Sequence, residues 1–545
     1  MSVAARFARP LSLVVGICGS LLAAPAARAQ LVPDADWRTL RTPHFAVHFT
    51  PPLEEAARRA AASAERAYAA LAAELVPPRG TIELVVADNV DFSNGYATPL
   101  PTNRVVIYAH PPVDEPSLRY FDDWSALVIT HELTHIFHLD RSRGWWRGAQ
   151  RVFGRNPVLF PNLYAPAWVT EGLAVYYESH LTGYGRIAGS PHRMLARSTE
   201  LAGAVPRLDE LSLATPRFPQ GEAAYGYGSL LLDYLARTRG PERVRAFVER
   251  SSAQPIPFFL NSAARRSFGV SLERGWREWR DSLRRDSAAV VAGLGGAASP
   301  VAGWRDLTRG GWYALHPRWA DSARLVYAGS TGRDVPAAYE VSAAGGRPRA
   351  LGRRNGTDVN VALPDGALLY AQLDFTTPYV IRSDLWVQRG GREHRLTRGA
   401  RLSAPDARRS DGAIVAVQAA PATTRLVRVS PDGRVVSPLT GTSADSVWGE
   451  PRWSPDGRHV AASLVARGGG SAIVVLDTTG RVTRVASRSR AVESAPAWSA
   501  DGAALYFTSD RTGTAELYVV PLAESGAADG AADGAPAGAE PPPAP

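Results

Sequence analysis

The chain has one cysteine, Cys18, two methionines and no lysine among its 545 residues. A lone cysteine forms no disulfide within the chain and no thiolate cluster for a metal. Any metal must therefore be held by histidine and carboxylate. With no lysine, every side-chain cation apart from histidine is an arginine. The arginines are scattered without a long basic run, so the formal charge of +9 does not point to nucleic acid. Long apolar stretches are scarce too. After residue 29 no segment is apolar enough to span a bilayer.

Residues 1–29 read as a secretory signal. Arg6 and Arg9 form a basic start, Leu11 to Ala24 is apolar but interrupted by glycine and serine, and Ala27-Arg28-Ala29 is a cleavage site. The apolar part is shorter than the roughly 20 residues a membrane span needs. Cys18 lies inside it, preceded by Ile17 where a lipoprotein site wants a small residue. The mature chain is then cysteine-free and expected in the periplasm or outside the cell.

At this length more than one domain is expected. Residues 44–49 and 81–87 alternate or concentrate apolar residues as strands do, and 104–108 repeats the pattern. Residues 53–75 carry apolar side chains at helical spacing and stop at Pro77-Pro78. Asn94 to Pro99 reads as turn-rich, and the piece after Asp140 as a loop rich in arginine, glycine and proline. Helical patterns follow to about residue 287, clearest over 225–237 and 241–251. Residues 30–287 thus form an α+β domain with a helical C-terminal part. Residues 288–303 read as a linker, and 523–545 as a disordered tail.

The centre of this first domain is His131-Glu132-Leu133-Thr134-His135. On a helix the two histidines lie about 40° apart on one face. Two imidazoles one turn apart can share a zinc ion, with Glu132 beside them as candidate general base. Asp122 or Asp123 can cap the helix. A catalytic zinc takes three protein ligands and keeps one open position, so a further histidine or carboxylate is needed. Glu171 is the candidate, on a second apolar helix opened by Pro166. Glu178, two turns on, faces the same way and could orient a ligand histidine.

These residues resemble the gluzincin metallopeptidases, near their aminopeptidases and the peptidase MA-like domains. The resemblance covers roughly 40–250 and rests on His131-Glu132-x-x-His135 with Trp168-x-x-Glu171-Gly172-x-Ala174-x-x-x-Glu178. It implies a thermolysin-like catalytic domain, one zinc on His131, His135 and Glu171, and Glu132 as the base that activates water. It also implies an oxyanion-stabilising tyrosine in a Tyr-x-x-Gly motif. Tyr225-Gly226-Tyr227-Gly228 matches, with Tyr225 first and Tyr227 in reserve. The sequence departs from the aminopeptidases at Asn94-Gly95-Tyr96-Ala97-Thr98, where no glutamate stands ready to hold a substrate amine.

Beyond 304 the pattern changes to short strands and Asp-Gly turns. Trp453-Ser454-Pro455-Asp456-Gly457 recurs as Trp498-Ser499-Ala500-Asp501-Gly502 and more weakly at Val429, Leu363 and Trp319. About five units of propeller-blade length fit between 304 and 522, although the Val429 copy could mark a hairpin late in a blade. The repeat resembles the TolB-type, WD40-like propellers. The expected whole is a secreted or periplasmic zinc metallopeptidase acting on a peptide or protein substrate. Its propeller would bind substrate or an envelope partner. The alternative is an inactive peptidase-like scaffold.

Overall fold

Alanine sets the packing of the first helix. The computed structural model describes residues 31–113, 116–212, 217–293, 305–309, 312–356, 358–468 and 470–522. The expected signal and tail lie outside them. Helix α1 (Glu54–Glu74) buries Ala57, Ala60, Ala61, Ala64 and Leu71 on one stripe, so its backbone lies close to the sheet and helix it covers. That sheet has the order β1-β2-β3-β5-β4. Strands β2 (Phe45–Phe49), β3 (Ile82–Ala87) and β5 (Arg104–Tyr108) are parallel, and the edge strands β1 (Arg38–Arg41) and β4 (Gly95–Thr98) run antiparallel to their neighbours. Strand β4 occupies the stretch expected as turns. Its four residues are only half-buried, which hides the apolar signature of a strand.

The rest of this mixed α/β unit is helical: α2 (Trp124–Leu139), α3 (Gly144–Phe153), α4 (Ala167–Thr182), α5 (Pro191–Leu201), α6 (Glu222–Arg239), α7 (Glu242–Ser251), α8 (Leu260–Phe268) and α9 (Leu272–Gly293). Two sequence expectations change here. Helix α3 stands in the supposed loop, and α9 runs on to Gly293, into the supposed linker. Residues 294–304 lie outside the described ones. No described helix is long and apolar enough to cross a membrane.

The C-terminal unit is an all-β propeller of five blades. Blade 1 spans 313–353 (β6–β9), blade 2 360–395 (β10–β13), blade 3 402–438 (β14–β17), blade 4 446–489 (β18–β21) and blade 5 493–521 (β22–β24). The first four have four strands and the last has three. The Asp-Gly repeats close the hairpin between the first and second strands of blades 2, 4 and 5, where Gly366, Gly457 and Gly502 take φ of +80°, +69° and +73°. Blade 3 uses Asp411-Gly412 there. The Val429 copy instead joins the third and fourth strands of that blade.

The hairpin between the second and third strands of every blade meets the α/β unit. Gln220 Nε2 donates to Gly332 O of blade 1 (3.1 Å), and Asn89 Nδ2 donates to Tyr379 O of blade 2 (2.7 Å). Ala422 of blade 3 packs on the α/β core. Arg467 of blade 4 pairs with Asp123 (3.6 Å), and Arg197 Nη2 donates to Thr514 Oγ1 of blade 5 (2.8 Å). The firmest clamp is made by blade 2 and the segment that joins it to blade 3. Arg401 grips Asp88 and Asp91 at 2.5–2.8 Å, and Arg382 donates to Asp91 (2.9 Å). Both arginines and both carboxylates are largely buried.

Candidate metal centre

Asp123 caps α2 by accepting from Ala126 N (3.2 Å). The helix then buries on nearly every side, so its polar residues can only face one another or a cavity. His131 and His135 do both. His131 Nε2 and His135 Nε2 approach to 3.3 Å, and Glu171 Oε2 from α4 lies 3.5 and 3.3 Å from them. Donors about 2.1 Å from a tetrahedral ion stand about 3.4 Å apart, so this triangle has the size of a zinc site. Glu171 Oε2 and His135 Nδ1 are buried atoms that meet no hydrogen-bond partner of their own among the described residues. Among those residues, the cluster of His131, His135 and Glu171 is the one set of three side chains that could hold a metal ion.

Two glycines bring the second helix into place. A Cβ on Gly172 would lie 2.6 Å from the Gly228 carbonyl carbon, and one on Gly228 would lie 2.3 Å from Trp168 O. Helices α4 and α6 therefore touch backbone to backbone, one residue from Glu171 and one turn from Tyr225. Tyr225 thereby reaches the cavity, its ring 6.3 Å from that of His131. Tyr227 does not. It is fully buried, bonds Thr199 Oγ1 (2.8 Å) and packs on Trp276 and Trp279. The reserve tyrosine is a core residue, because two positions along a helix turn it to the far side.

Glu178 stands behind the triangle, its side chain 1% exposed. Its Oε2 lies 2.8 Å from His131 Nδ1, and a proton donated across that contact leaves Nε2 free to face Glu171. Sequence reading missed Arg186. Its Nη2 donates to Glu178 Oε2 (2.7 Å) and sits 2.8 Å from His131 Nδ1. Arg186 belongs to no motif in a single sequence; only the turn through Gly183 and Gly185 brings it back under α4. Gly185, at φ +87°, leaves no room for a Cβ beside Glu178. Glu222 also lines the cavity and pairs with His192 (3.1 Å).

The cavity measures about 560 Å³, and Gly95, Tyr96, Ser117 and Leu118 form part of its wall. A Cβ on Gly95 would come within 2.9 Å of Glu132 Oε1, so β4 lies directly against the candidate base. Burial raises the Glu132 carboxyl, while His131 and His135 oppose the shift. Burial would likewise raise Glu171 and Glu178, but imidazole contacts for the first and Arg186 for the second hold both carboxyls well down. Burial and the nearby Glu171 raise the Tyr225 phenol, so it stays protonated. Burial and Arg186 oppose charge on His131, yet its contacts with the Glu171 and Glu178 carboxylates raise it to about 9. The pocket is thus built to stabilise a positive charge at its centre.

A family model described as a TolB beta propeller domain matches residues 442–536. Among solved structures the chain is similar to TolB from Acinetobacter baumannii, at 17% identity and TM-score 0.34, covering 38% of this chain and 52% of that one. It is also similar to the β-propeller domain of the Trilobed protease from Pyrococcus furiosus, at 15% identity and TM-score 0.29, covering 38% and 65%. A third is a puromycin-hydrolyzing peptidase from Mycobacterium tuberculosis, at 15% identity and TM-score 0.30, covering 39% and 37%. The chain thus spans about half the length of that TolB. The class defined is a mixed α/β, largely helical domain followed by a five-blade TolB-type propeller.

Proposed function

We propose that the α/β domain is a zinc-dependent peptidase of the gluzincin type, with a thermolysin-like catalytic fold, working in the periplasm or outside the cell. The observation that carries this reading is the triangle of His131, His135 and Glu171 donor atoms, 3.3–3.5 Å on each side. The chain's own sequence supports the location through its signal-like residues 1–29.

Zinc held by His131, His135 and Glu171 would supply Lewis acidity at the scissile carbonyl. Glu132, buried beside β4 with its carboxyl raised, takes the proton of the attacking water and returns it to the leaving amine. Tyr225 keeps its proton and donates a hydrogen bond to the developing oxyanion. Glu178 and Arg186 hold the His131 ring in orientation. Strand β4 is a sheet edge beside the cavity, so an extended peptide can add to it as a further strand. No acidic side chain on β4 is placed to hold a free amine, which favours cleavage within a chain over removal of its first residue.

The propeller supports the cavity wall in this reading. The loop between β3 and β4 is held by Arg382 and Arg401, and Arg119, next to Leu118, donates to Glu450 of blade 4 (2.8 Å). Substrate or an envelope partner would bind through the same propeller. The test is cleavage of a peptide library by the wild type and by Glu132→Gln, with zinc measured in both. Cleavage is expected from the wild type only, at equal zinc content near one per chain. Zinc-loaded wild type that cleaves nothing leaves the scaffold reading in its place.

A further inference from the structure

Helix α3 leaves an apolar stripe uncovered. Around its axis Trp145, Ala149 and Val152 make one apolar stripe, yet that stripe faces solvent, with Trp145 48% and Val152 75% exposed. The side turned inward carries Trp146, which donates to Gln254 O (2.7 Å), and Gln150, which donates to Leu159 O (2.8 Å). A helix on a globular core normally does the reverse. Phe153 (71%), Phe258 (69%) and Phe259 (60%) stand out beside it.

These groups form one fixed surface. Arg143 N donates to Ser252 O (2.9 Å), Gln254 Nε2 donates to Phe259 O (2.9 Å), and the Tyr164 and Phe258 rings meet edge to face at 5.8 Å. So large an apolar patch marks a site of contact. Its charge is one-sided. Residues 141–170 contain five arginines and no aspartate or glutamate, and residues 251–272 contain two arginines and again no carboxylate. Arg141, Arg143 and Arg155 pair with carboxylates from outside the patch, but among the described residues Arg147 and Arg151 make no ion pair.

We infer that this face docks the protein on an anionic lipid surface. The aromatic side chains are exposed, with Trp145 stacked on Trp146 at 3.9 Å and Phe258 against Tyr164, which suits insertion between headgroups and acyl chains. The free arginines at their margin suit the lipid phosphates. The inference does not depend on the peptidase reading.

The test uses the chain from Gln30 onward, so that the apolar Leu11 to Ala24 run cannot itself bind lipid. Sedimentation with phosphatidylglycerol–phosphatidylethanolamine vesicles is compared with phosphatidylcholine vesicles. Partition onto the anionic vesicles is expected to be at least tenfold stronger and to fall with added salt. The variant Trp145→Ser/Phe153→Ser/Phe258→Ser should lose tenfold or more of it. Arg147→Gln/Arg151→Gln, which leaves the aromatics untouched, should lose several-fold and separate lipid binding from misfolding. Equal binding to both vesicles, or binding to neither, overturns the inference. So does a dimer seen by sedimentation velocity that the aromatic variant dissolves without any lipid effect.

Discussion

Gly172 and Gly228 meet where α4 crosses α6, and a Cβ on either would collide with backbone at 2.6 Å or less. Glu171 is followed directly by Gly172, and the Tyr225 motif ends in Gly228, because the two helices touch there. Gly228→Ala should push α6 away. A loss of about 1–3 kcal/mol in urea unfolding is expected, typical of an overpacked core. Zinc binding by His131, His135 and Glu171 should weaken with it. Gly148→Ala, at an exposed helical position with open space around it, is the control.

Glu178 and Arg186 should matter to metal affinity without touching the ion. Glu178→Gln keeps the size of the side chain but removes the charge that orients His131. A 10–100-fold weaker zinc affinity is expected, measured by competition with a chromogenic chelator. Unchanged affinity would show that α2 alone fixes the ring.

Metal removal should act on one unit. Chelation of zinc is expected to lower the unfolding temperature of the α/β domain and leave the propeller transition in place, since a ligand stabilises only what it binds. Differential scanning calorimetry with and without chelator reads this directly.

The Asp91 clamp should carry much of the domain interface. Its side chain is 1% exposed and accepts from Arg382, Arg401 and the Ser383 N–H. Asp91→Ala leaves two buried guanidinium groups short of a partner, which costs on the order of 3–5 kcal/mol. The expected outcome is earlier urea unfolding, with limited proteolysis between the domains. A shift under about 1 kcal/mol would mean that solvent reaches the clamp.

Acid should loosen the propeller centre. Burial pushes the His316 imidazole from 6.5 down to about 4; Glu450 opposes this, and Arg452, Arg318 and Arg119 add to it. Burial would raise Glu450, but Arg119 and the Ala495 N–H hold it at about 2. Both folded values lie below the unfolded ones. Their stabilisation is therefore complete above about pH 6.5 and is lost as pH falls, first through His316 towards 4 and then through Glu450 towards 2. The unfolding temperature should drop between pH 6.5 and 4, and His316→Gln should flatten that first decline.

Much of the architecture was written in local patterns. The period of α1, the apolar runs of β2, β3 and β5, and the recurring Asp-Gly hairpins each depend on residues close in sequence. Strand β4 was hidden because its residues are half-buried at a sheet edge, beside the cavity. Helix α3 was hidden because it has only ten residues and carries Gly144 and Gly148 among its arginines, which reads as a loop. Blade 3 lost its marker because its hairpin keeps Asp411-Gly412 but not the tryptophan that leads the copies of blades 1, 4 and 5.

At the candidate metal centre, the chain's order of residues was enough to nominate His131, Glu132 and His135, since one helical turn sets their relation, and to nominate Glu171, Glu178 and Tyr225 by motif. It could not choose between Tyr225 and Tyr227, nor reveal Arg186. Those depend on how far α4 and α6 rotate when Gly172 meets Gly228, and on a loop that folds back under α4. Contacts between residues distant in sequence are settled by packing, and packing leaves no period for a single sequence to display.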